Sequence, residues 1–170
     1  MAGALLAGCT PSLHDTVACG HVAEAAALLE RRPDLVNARG QLDKAPLHYA
    51  VTAKQIAAMA LLLDHGAEID AQDVTGMTPL HVAAMLGRKD EAQWLLDHGA
   101  ALEPRDQFGD TPMHTAAMFG HGHVVHLLLS RGAALSPANA AGKTPLDLAR
   151  EYRRERAARY IEQLQARQSG

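Results

Sequence analysis

The sequence predicts an all-α protein built by stacking one 33-residue helix–turn–helix–loop unit five times, the last copy truncated, and three observations predict it. First, the strings Ala45-Pro46-Leu47-His48, Thr78-Pro79-Leu80-His81, Thr111-Pro112-Met113-His114 and Thr144-Pro145-Leu146-Asp147 stand in strict phase, each proline 33 residues after the last. Second, glycines keep the same phase: Gly66, Gly99 and Gly132 close Leu-rich segments, and Gly76, Gly109 and Gly142 stand two residues before the threonines. Third, the chain is 48% apolar but only 4% aromatic, so its interior is made of Ala, Leu, Val and Met, which suit close-packed helices better than sheet.

The elements follow in order. The first copy begins at Leu13-His14 and runs through Gly20-His21 and Leu28-Leu29 to Val36-Asn37-Ala38. It is one residue longer than the period, and the extra residue falls in Arg31-Arg32-Pro33-Asp34, a proline-containing turn where later copies have Gly-Ala. In the third, fourth and fifth units Thr caps the first helix, and in every unit from the second on Pro opens it, because Pro fits the first helical turn, where no backbone donor is lost. Gly20, Gly87 and Gly120 stop that helix, since a left-handed backbone costs glycine almost nothing. A second helix follows, with an apolar stripe at i, i+1, i+4, i+5: Ala58, Met59, Leu62 and Leu63 in one copy, Val124, Val125, Leu128 and Leu129 in another. Three residues break the pattern. Lys54 replaces a helix-ending glycine, Glu91 stands in the apolar stripe, and Gly122 falls at a helix start. The expected boundaries are a tail over 1–12 and an array over 13–170, with repeats near 13–40, 41–73, 74–106, 107–139 and 140–168.

The run Thr78-Pro79-Leu80-His81-Val82-Ala83-Ala84-Met85-Leu86-Gly87 resembles the signature of the ankyrin repeat, and the resemblance covers Leu13 to the C-terminus. It implies a slightly curved solenoid of antiparallel helix pairs with hairpin loops projecting to one side, and a role in protein–protein recognition. It also implies that Pro46, His48, Thr78, Pro79, His81, Thr111, Pro112, His114, Thr144 and Pro145 are structural, with the histidines bonded to backbone. The family surface, formed by hairpin tips and the exposed side of the first helices, falls on Gln72, Val74, Thr75, Met77, Met85 and Leu86 in the third unit. In the fourth it falls on Gln107, Phe108, Asp110, Met118 and Phe119, and in the last on Lys143, Glu151 and Tyr152. The apolar members, above all Met85, Leu86, Phe108, Met118 and Phe119, form the kind of patch that marks an interaction site on a concave face.

Other chemistries find little support. A net charge of −3 and a pI near 6.3 offer no general attraction to nucleic acid. No apolar run is long enough to span a bilayer. Cys9 and Cys19 make no CxxC pair, which argues against zinc or a disulfide framework. Leu6-Ala7-Gly8-Cys9 has the residue types of a lipoprotein cleavage box, yet Met1 to Leu5 carries no Lys or Arg and is too short for a signal segment unless the start lies upstream. His123 and His126 are spaced to share a metal ion, but no carboxylate or Cys completes a tetrahedral set. Ser130 and Ser136 have no oriented base, and the glycines are spaced singly instead of forming a phosphate cradle. Arg150, Arg153, Arg154, Arg156 and Arg159 suit the solvated face of a terminal cap. The expectation is a monomeric, non-catalytic cytoplasmic module with no cofactor or metal, whose partner is another protein; the alternative is a lipid anchor through Cys9.

Overall fold

The structure, a computed structural model, describes residues 12–168; residues 1–11, including Cys9, and 169–170 lie outside the described residues. Among the described residues there are ten α-helices and no strand. They fall into five consecutive pairs: α1 (Leu13–Ala18) with α2 (Val22–Arg31), α3 (Pro46–Thr52) with α4 (Ile56–Asp64), α5 (Pro79–Leu86) with α6 (Lys89–Asp97), α7 (Pro112–Phe119) with α8 (Gly122–Ser130), and α9 (Pro145–Glu151) with α10 (Glu155–Gln168). First helices stack in the order α1, α3, α5, α7, α9, and each pair also packs internally, so every unit leans on its neighbours in the chain.

Local chemistry sets the helix ends. Pro46, Pro79, Pro112 and Pro145 each occupy the first helical position behind an extended residue. Gly87 and Gly120 end α5 and α7 in the left-handed conformation. Gly99 and Gly132 do the same after the second helices, at φ 90° and 93°. A Cβ at those two positions would meet nothing within 4 Å, so backbone conformation alone selects glycine there. Lys54 takes the same left-handed conformation, φ 60°, without that freedom. In the first unit α2 stops at Arg31, and Pro33 opens a 3-10 turn, Pro33–Asn37, in which Arg32 grips Asp34 through Nε and Nη2 at 3.0 and 2.8 Å.

The core runs the length of the stack because equivalent positions bury the same side chains. Leu47, Leu80 and Met113 from the first helices and Leu62, Leu95, Leu128 and Ile161 from the second are fully enclosed. Each such burial contributes about 1.5–3 kcal/mol. Between them lie Ala50, Ala83, Ala116 and Ala149, also without exposure, whose small side chains let successive first helices approach closely. Glu91 is buried where Ala58 and Val124 stand in the neighbouring units. Polar side chains tie the loops on the second-helix side. Asn37 accepts from Glu68 N, Asp70 from Ala101 N and Glu103 from Ala134 N, each one unit ahead, at 2.7 to 3.0 Å.

Candidate functional site

The projecting tips are made rigid by their own side chains. Asp73 accepts from the backbone N–H groups of Thr75 and Met77, Asp106 from Phe108 and Asp110, and Asn139 from Ala141 and Lys143. Gly76, Gly109 and Gly142 then turn the chain back at positive φ. Successive tips bond directly: Val74 N to Leu42 O, Gln107 N to Thr75 O and Ala140 N to Phe108 O, all at 3.0 Å. This close stacking is a second reason for glycine, since a Cβ on Gly109 would sit 2.7 Å from Ala140 N. The second unit's tip differs. Gly40 occupies the Asp position, and Leu42 and Asp43 take positive φ, leaving Leu42 as the most exposed large apolar side chain of the described residues.

Beneath the tips, imidazoles lock each unit to the next. Nε2 of His48, His81 and His114 donates to the carbonyl of Met77, Asp110 and Lys143 respectively, and His14 donates to Ala38. The tautomer follows from the other ring nitrogen: backbone N–H groups of Thr78 and Thr111 point at Nδ1 of His81 and His114 at 3.2 Å, so Nδ1 must accept and Nε2 must carry the proton. The hydroxyls of Thr78 and Thr111 lie 3.0 Å from the same nitrogens. Burial pushes the pKa of His48, His81 and His114 below the ordinary 6.5, which keeps the rings neutral, as single-donor locks require. In the last unit Asp147 stands in place of His and accepts from the N–H and hydroxyl of Thr144 instead.

A groove of about 540 Å³ opens between the fourth and fifth tips and the first helices below them. It brings together Gln107, Phe108, Met118 and Tyr152 with Lys143 and Glu151, which form an ion pair at its edge. Phe108 is 58% exposed and Tyr152 50%. Phe119 is also exposed but lines a neighbouring recess with Arg153. Gln72 and Val74 are exposed on the third tip, outside this groove. Met85 and Met118 are half-buried, and Met77 and Leu86 are half-buried against the core. Thr75 is half-buried, its hydroxyl donating to Asp73.

Asp110 is more buried than its tip position implies. It was expected at the surface, yet it is 8% exposed: its carbonyl receives the His81 lock, and its carboxylate accepts from Asn139 Nδ2 at 2.7 Å. Asp110 nonetheless lines the groove. The groove also includes Ala140, Ala141 and Leu148, which sequence reasoning missed. For the two alanines phase is the signal, since they stand 33 residues after Gln107 and Phe108, whereas Leu148 stands 33 after Thr115, which is buried, so phase does not mark it.

Among the described residues no group of three His, Cys, Asp or Glu side chains is placed to hold a metal ion. The suggestive histidines have other partners. His121 Nε2 donates to Met85 O and His123 Nε2 to Gly87 O, both in the preceding unit, and His126 Nδ1 hydrogen-bonds the Tyr160 hydroxyl. Ser130 donates its hydroxyl to Leu127 O, and Ser136 accepts from Gln165. No helix of the described residues is long and apolar enough to cross a membrane. Residues 13–106 and 92–167 match the family described as ankyrin repeats (3 copies). No curated protein matches the chain.

Proposed function

The chain belongs to the ankyrin-repeat family, and from that premise we propose that it is a non-catalytic adaptor or regulator that binds a protein partner through its tips and first helices. The observation that supports this reading best is the exposure of Phe108 and Tyr152 in the lining of one groove. Large side chains left in water there do nothing for the fold, and aromatic residues of this kind anchor interfaces when a partner covers them. The scaffold is suited to the task, because the tips are fixed by side-chain caps and by each other, so little ordering cost accompanies binding.

The test is affinity capture from native lysate with the parent chain and with the double substitution Met118→Ser and Phe119→Ser as baits. A protein retained by the parent and lost by the folded variant is the expected result. Equal retention by both baits contradicts the assignment of this face.

A further inference from the structure

We propose that the partner engages the groove with an acidic, apolar-containing protein segment whose carboxylates are received by an arginine recess at the groove's foot. This inference rests on the protein-binding reading above and specifies the partner's chemistry.

The recess, about 390 Å³, is lined by Phe119 and by Arg153, Arg154, Arg156 and Arg159. It adjoins the groove residue by residue: Met118 and Tyr152 line the groove, and the next residues in the chain, Phe119 and Arg153, line the recess. A bound segment can therefore set an apolar side chain against Phe108 and Tyr152 while its flank reaches the guanidinium groups.

The charges are not spent within the protein. Among the described residues Arg153 and Arg156 have no carboxylate partner, as is also true of Arg31, Arg88 and Arg105, but at this recess two such cations stand within four residues of each other. Arg154 uses only its Nε, donating to Met118 O at 3.0 Å. Glu155, the one carboxylate at the recess, faces Arg159. Unpaired guanidinium forks next to an apolar surface are built to take carboxylates, often two oxygens at a time.

The backbone at Arg153 is also unusual. Arg153 occupies the slot held by Gly20, Gly87 and Gly120 in other units and takes their left-handed conformation, φ 56°. The slot therefore places a cation in the lining of the recess where glycine would place none. A protein segment suits this surface better than a polyphosphate: seven of the sixteen Lys and Arg lie beyond residue 142 with only four of the nineteen carboxylates, so the rest of the chain is strongly acidic and repels an extended polyanion.

A random displayed-peptide library selected on the full chain provides the test. Selected peptides should carry Asp or Glu beside a large apolar residue. By fluorescence anisotropy, such a peptide should bind about tenfold more weakly to Arg156→Glu and to Arg153→Gly, and more weakly as salt rises. Arg153→Gly should do so while melting at a higher temperature than the parent, which no structural role for that arginine allows. The inference is overturned if no peptide is selected, if the selected peptides lack acidic residues, if the arginine variants bind unchanged, or if a single-stranded oligonucleotide or a phosphatidylserine vesicle binds in preference to the acidic peptide. Peptides that lose affinity on Phe108→Ser with Tyr152→Ser but ignore the arginine variants would sink this inference and leave the protein-binding reading standing.

Discussion

His81 Nε2 lies 3.0 Å from the carbonyl oxygen of Asp110, 29 residues further along the chain and in the next unit. The same 29-residue reach recurs from His48 to Met77 and from His114 to Lys143. Alongside the core that runs the length of the stack, bonds of this kind couple each unit's stability to the next.

That coupling is sensitive to protons. Burial holds His48, His81 and His114 below the ordinary 6.5, so the unfolded chain takes up those protons first as pH falls. The stabilisation is therefore complete above pH 6.5 and is lost progressively below it, toward the depressed folded values. Thermal midpoints should be level from about pH 8 to 7 and fall between about pH 6.5 and 5. A midpoint that stays flat or rises across the acid half would show that the rings are not held neutral.

Ala45 breaks the lock's pattern. Thr78 and Thr111 set a hydroxyl within 3.0 Å of the next histidine's Nδ1, whereas Nδ1 of His48 is buried with no hydrogen-bond partner. Restoring the hydroxyl with Ala45→Thr should stabilise the chain by about 1 kcal/mol, the usual scale for a buried hydrogen bond or a helix cap. Urea denaturation measures it, and an unchanged or lower midpoint would refute the role given to the threonines.

The left-handed slots give opposite outcomes at two positions. Lys54→Gly should raise stability by about 1 kcal/mol, because φ 60° is strained for lysine and free for glycine. Gly87→Ala should lower it by about 1–3 kcal/mol, since the strain is joined by a Cβ only 2.6 Å from His121 Nδ1. Equal effects at the two sites would mean that conformation is not what selects the residue.

The architecture was legible because its causes are local and repeated. Thr-Pro at helix starts and glycine at helix ends are each read from three copies at once, so Pro79 opening α5 and Gly99 at positive φ follow from backbone chemistry alone. Exposure was less legible. Phase places Asp110 on a tip beside Phe108, but only the packed stack shows that its carboxylate turns to Asn139 while Phe108 turns to water. The same holds for His121 and His123, whose spacing suggests an outer face and whose bonds go to carbonyls of the preceding unit. Contacts between units depend on their rise and rotation, which no single unit encodes.

The most direct measurement is calorimetric titration of a captured partner into the parent chain, into Phe108→Ser with Tyr152→Ser, and into Ile56→Ser, which removes an exposed apolar side chain on the second-helix side. The account predicts that all three melt alike, that the groove variant weakens binding by about tenfold to over a hundredfold, as loss of aromatic anchors does, and that Ile56→Ser binds as the parent does. A groove variant that stays folded and keeps the parent's affinity would contradict it.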